Sequence, residues 1–137
     1  MKFEDSIFSK KYRYSKKSFD FGTYYFLDKI VIAEINYGVH FDEKKIAIVI
    51  ESIFEHYETN CKLGYISNRL NSYSFEPDLW KKFFDEYNFI VASVSVCYTN
   101  MNLMNATIEK RFSKKNIKIT NNLDDAFTWI LSLKELN

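Results

Sequence analysis

The sequence predicts an α/β fold: a mixed five-stranded sheet with an antiparallel N-terminal hairpin strand, the remaining strands parallel and in sequential order, and helices mainly on one face. Three observations predict it. Phe89-Ile90-Val91-Ala92-Ser93-Val94-Ser95-Val96 is the longest β-branched run in the chain and has helix-like sequence on both sides, which marks an inner strand. Alternation sets Ile90, Ala92, Val94 and Val96 on one face of it and Phe89, Val91, Ser93 and Ser95 on the other, so one face reads as dry and the other as half dry. Strand-like and helix-like segments then alternate along the chain, as in β-α-β units. With 137 residues, 47% hydrophobic and 18% aromatic, and with 3 Gly and 1 Pro, the chain is neither disordered nor collagen-like.

Residues 1–18 lack a clean period and read as an irregular leader, followed by a single α/β domain over 19–137. The aromatics of 19–26 suggest a strand, and Leu27-Asp28-Lys29 a tight turn into a second strand over 30–35. A loop over 36–41 follows, in which Gly38 is free to take a positive φ. Asp42 is placed to N-cap a helix over 42–58, where Ile46, Val49, Ile50, Ile53, Phe54 and Tyr57 recur at helical spacing and Glu51, Glu55 and Glu58 form a wet side. A strand over 62–67, a polar loop over 68–75 and a helix over 76–87 come next, with Leu79, Trp80, Phe83 and Phe84 as that helix's apolar stripe. After the 89–96 strand, a helix over 101–112 carries Leu103, Met104, Thr107, Ile108, Arg111 and Phe112. A short strand over 117–120 precedes a helix capped by Asn122, which buries Leu123, Ala126, Phe127, Ile130 and Leu131, with Trp129 near its border.

Composition excludes several classes of function. A formal charge of +1 gives no global pull toward nucleic acid or anionic lipid. The basic-aromatic stretch from Lys10 to Lys17 is the one local candidate for a nucleic-acid contact. Residues 1–17 have no apolar core segment and there is no transmembrane run, so a cytoplasmic protein is expected. Cys61 and Cys97 fall at the start of one strand and the end of another, which implies free thiols. There is no Gly-rich phosphate loop and no Gly-x-Ser-x-Gly elbow, and the two histidines, His40 and His56, make a His-rich metal set impossible. No catalytic residue, metal site or cofactor is assigned. Ligands in open α/β sheets favour the carboxyl ends of the strands. Those ends gather His40, Ser67, Asn68, Arg69, Ser72, Tyr98, Asn100 and Asn102, a neutral, amide-rich edge for a ligand or partner, in which His40 with Arg69 offers a possible anion site.

A hairpin followed by β-α repeats, closing on Leu123-Asp124-Asp125-Ala126-Phe127-Thr128-Trp129-Ile130 just after a short strand, resembles the STAS domain of anti-sigma-factor antagonists and their uncharacterised bacterial relatives. The likeness spans residues 19–135 in element order. It implies a non-catalytic regulatory module that works through protein contacts. STAS antagonists carry a phosphorylatable serine in an Asp-Ser-rich turn. The corresponding Ile66-Ser67-Asn68-Arg69-Leu70-Asn71-Ser72-Tyr73-Ser74 has serines but no Asp-Ser pair, so phosphorylation is not carried over to any of them. STAS-like sheets also resemble the lipid-carrying CRAL-TRIO fold, which makes a binder of a small apolar or amphipathic ligand the alternative, with Tyr24, Tyr25, Phe26, Trp80, Phe83, Phe84 and Trp129 as cavity-lining candidates. A homodimer is expected through the Phe89, Val91, Ser93 and Ser95 face, the competing cover for that face being the leader's Phe3, Ile7, Phe8 and Tyr12.

Overall fold

In the computed structural model, residues 1–137 are described except 59, 77, 80, 81, 83–85, 113–116 and 137 and the side chain of Phe112. Six strands make the main sheet: β1 (Ser15–Phe19), β2 (Gly22–Phe26), β3 (Ile30–Ile35), β5 (Leu63–Arg69), β7 (Ile90–Cys97) and β8 (Ile117–Thr120), in the order β1-β2-β3-β5-β7-β8. The first two pairings are antiparallel and the other three parallel. Two short strands, β4 (His40–Phe41) and β6 (Ser74–Phe75), pair apart from it. Among the described residues the helices are α1 (Ile7–Lys11), α2 (Glu43–His56), α3 (Asn100–Phe112) and α4 (Leu123–Leu131), with single 3-10 turns at Phe3–Asp5 and Lys134–Leu136.

The α/β class and the sequential parallel strands agree with the sequence reading, but the sheet has six strands instead of five. The sixth is β1, which apart from Phe19 lies inside the stretch taken for an irregular leader. Lys16 and Lys17 leave no hydrophobic alternation to read there, and the strand forms because β2 offers it a free edge, pairing Ser15 with Phe26 and Phe19 with Gly22. Gly38 does adopt a positive φ, of 77°. Asp42 caps α2, its carboxylate accepting from the Lys45 backbone N–H at 3.1 Å, and Asn122 caps α4 in the same way through Asp125 at 2.7 Å. Half of the helix expected over 76–87 lies outside the described residues, Trp80, Phe83 and Phe84 included. Leu79 of that stretch is buried in the core.

Each face of the sheet has its own core. On one, Ile46, Val49, Ile50 and Ile53 of α2 pack on Val31, Ala33, Leu63 and Tyr65. On the other, Leu123, Ala126, Phe127 and Ile130 of α4 pack on Ile32, Ile66, Val94 and Val96. Helices mainly on one face is therefore only half of the picture. Crossovers between successive parallel strands share a hand and a face, whereas the helix after the last strand is free to wrap to the other side. The N-terminal segment joins it there. Phe8 stacks on Phe127 with centroids 4.0 Å apart, and Phe3 sits 4.8 Å from Tyr25.

The 89–96 strand also changes phase. Leu63 aligns with Ile90 but Gly64 aligns with Ala92, so Val91 is an extra residue opposite the join, as in a β-bulge. Ile90 consequently belongs to the α2-side core while Val94 and Val96 belong to the α4-side core. Ser93 and Ser95, expected on a half-dry open face, are buried at 1% and 3% exposure. The leader covers the opposite face, so the cover expected of it for the Ser93 face is not what it provides. Gly64 lies where α4 crosses closest, and a Cβ on it would meet Ile130 Cγ1 at 2.7 Å.

Candidate functional site

The residues expected to form one edge site separate into three places. Alternation along β5 sends Ser67 and Arg69 to the α2 side and Asn68 to the α4 side. Ser67, buried within β5 and not in a turn, shares a hydrogen bond of 3.0 Å with the Tyr73 hydroxyl. Arg69 is 1% exposed and pairs with Glu109, under the Tyr73 ring at 5.4 Å. Asn102 joins this cluster, donating from its side-chain amide to the Arg69 carbonyl at 2.9 Å. Asn68 and Tyr98 meet on the other face, where the Tyr98 hydroxyl donates to Asn68 Oδ1 at 2.7 Å and burial pushes the Tyr98 pKa up to about 12. His40 is exposed on β4 and bonds Ser74 at 2.7 Å, while Ser72 turns its carbonyl to the Gly38 N–H at 2.9 Å. Asn100 opens α3 and is exposed. His40 and Arg69 therefore do not form an anion site, because the guanidinium is already committed to a carboxylate.

The Arg69–Glu109 pair decides how α3 sits. Burial works against the Arg69 charge, but Tyr73 and Glu109 beside it outweigh that and raise its pKa, so the guanidinium stays ionised. A charge placed there requires a counter-charge from the element above it. Glu109 supplies this, and with Ala106 and Asn102 one and two turns before it forms the buried side of α3. Leu103, Met104, Thr107, Ile108 and Arg111, which the sequence places on this helix, consequently point outward. Met101, Leu103, Met104 and Ile108 are 57%, 45%, 62% and 45% exposed. Two of the three residues on the buried side of α3 are therefore polar, while four of its large apolar residues face solvent.

A second buried polar group was also missed. Glu34, 9% exposed, accepts from the Phe3 backbone N–H at 2.8 Å and from the Asn68 amide at 2.7 Å, tying the N-terminal segment to β3 and β5. Its signal in the sequence is being the one charged residue of Ile30-Val31-Ile32-Ala33-Glu34-Ile35. Burial raises the carboxyl pKa above its ordinary 4.5, against the pull of the two hydrogen bonds. The folded state thus keeps a proton that the unfolded chain has released. This contribution to stability is full below pH 4.5 and is lost as pH rises through the raised value. Glu34→Gln, which cannot ionise, is expected to melt with wild type at pH 4 and progressively above it toward pH 7. Melting curves across that range check this, and a constant gap would refute it.

A cleft of about 810 Å³ lies at the carboxyl ends of β7 and β8, between α3 and α4, lined among others by Tyr98, Asn100, Leu103, Lys118, Asp125 and Trp129. Cys97 also lines it, with its thiol pKa pushed up by burial, which opposes thiolate chemistry. Among the described residues no group of three or more His, Cys, Asp or Glu side chains is placed to hold a metal, and no helix is long and apolar enough to cross a membrane. Tyr24, Tyr25 and Phe26, candidates for a ligand cavity, fill the two cores. Tyr12 and Tyr14, the rings of the basic leader, pack against Phe127 and against Phe3 and Tyr25. Compared with known proteins, the chain matches no family model, no curated protein and no solved structure.

Proposed function

We propose that this chain is a non-catalytic protein-interaction module, regulatory in the manner its STAS-like element order implies, and that the outward side of α3 is its docking face. One observation carries the reading: α3 buries Asn102, Ala106 and Glu109 and leaves Met101, Leu103, Met104 and Ile108 in solvent. Exposed aliphatic side chains grouped on one helix mark an interaction surface, and unbranched Met adapts to a partner's contours. The polar underside serves this arrangement, because the Arg69–Glu109 pair fixes which side of the helix is presented.

Replacing Met101, Met104 and Ile108 together by Gln separates docking from folding. The triple variant is expected to lose under about 1 kcal/mol of stability, against about 2–5 kcal/mol for each aliphatic side chain deleted from a core. Affinity capture with both proteins at equal concentration tests the reading. A partner held by wild type and released by the triple variant supports it. Identical partners at identical occupancy would overturn it.

A further inference from the structure

The outward side of α2 is complementary in charge to that of α3, and we infer that the partner is a second copy of this chain, with α3 of each protomer seated on α2 of the other. The inference rests on α3 being a docking face. Beyond Glu109, which is buried, the charged residues of α3 are Lys110 and Arg111, both exposed in its last turn. On α2 the exposed charges of the second half are Glu51 and Glu55, followed by Glu58 just past its end. Each helix adds aliphatic surface to its charge. Ile48 of α2 is 46% exposed, and Met104 of α3 is 62% exposed.

Topology sets these two surfaces in matching orientation. α2 leads from β3 to β5 and α3 from β7 to β8, both between parallel neighbours, so both run back along the sheet in the same direction and on the same side. Their C-terminal ends therefore lie at the same end of the molecule. A two-fold axis along the helices, in the plane between two facing protomers, lays α3 of one parallel to α2 of the other. With the helix ends aligned, Arg111 meets Glu55 of the partner subunit and Met104 meets Ile48 of the partner subunit. The same contacts recur on the other side of the axis, as an isologous dimer requires. Pairing α2 with its own copy about the same axis, and so in parallel, would instead set carboxylates against carboxylates, and α3 with its own copy would leave both its cations unmatched.

Charge exchange tests the arrangement. Variant one carries Lys110→Glu with Arg111→Glu, and variant two carries Glu51→Lys with Glu55→Lys; all four residues are exposed. Sedimentation equilibrium on the full chain up to about 100 µM should show a dimer for wild type and at least roughly tenfold weaker association for each variant alone. An equimolar mixture of the two should recover the dimer as a heterodimer, since basic α2 then faces acidic α3 on one side and the native pair forms on the other. Melting temperatures confirm that the variants fold. A wild-type monomer at the highest concentration, or a mixture no tighter than its components, would overturn the inference. If wild type is monomeric and yet a different protein is released by the Gln triple variant, the second copy is rejected while α3 remains a docking face.

Discussion

Glu109→Ala is expected to cost about 3–5 kcal/mol of stability, the penalty for leaving a buried guanidinium without its counter-charge. Arg69 is 1% exposed, and its Nε already finds no acceptor among the described residues. The pair is thus a costly arrangement that persists because both members are present. Arg69→Met combined with Glu109→Leu should recover most of the loss, as apolar replacement of a whole buried pair usually does. Urea unfolding of the single and double variants gives the coupling directly. Equal losses in both would mean that the pair does not hold α3 down. The double variant also separates stability from orientation, because α3 without its polar anchor is free to roll its aliphatic side toward the sheet. In that event the exposed surface used for docking is lost from a protein that remains well folded.

The second large effect is expected at Phe127. It is 1% exposed and stacks on Phe8, with Tyr12 at 6.0 Å in a nearly parallel plane. Phe127→Ala should cost about 3–5 kcal/mol through the cavity it leaves. It should also release α1, whose hold on the α4 side runs through these rings. Protease cleavage after Lys10 or Lys11 is therefore expected to accelerate by more than the global loss of stability predicts. Cleavage that merely tracks unfolding would mean that α1 is held elsewhere.

The limits of the sequence reading have physical causes. α2 and α4 were legible because local patterns determine them: an acidic or amide cap, then apolar residues at 3.6 spacing that mostly go inward; Phe54 and Leu131, expected among them, are instead exposed, at 56% and 40%. α3 has aliphatic residues at similar spacing, yet they face solvent. Nothing local to residues 100–112 states that Arg69, some 40 positions earlier, lies buried beneath the helix and demands Glu109. The candidate site failed for a related reason. Ser67, Asn68 and Arg69 are neighbours in sequence, but strand alternation assigns the middle one to the opposite face, so grouping them by strand end merged two clusters that the sheet keeps apart. β1 was missed because an edge strand with exposed Lys16 and Lys17 carries no core pattern, and such lysines are common on free edges that avoid pairing with other chains.

The two-sided sheet also imposes an order on assembly during synthesis. Once Cys97 has emerged, β3, β5 and β7 can pair and α2 can close over one side of them. The other side, with Ile32, Ile66, Val94 and Val96, has no helix to cover it until α4 appears, and the Phe8 ring has nothing to stack on until Phe127 is made. At roughly 5–20 residues per second the ribosome takes a few seconds over that interval. For that time the nascent protein carries a bare aliphatic wall, and it is in this window, rather than after release, that a chaperone holding extended apolar surface has most to protect.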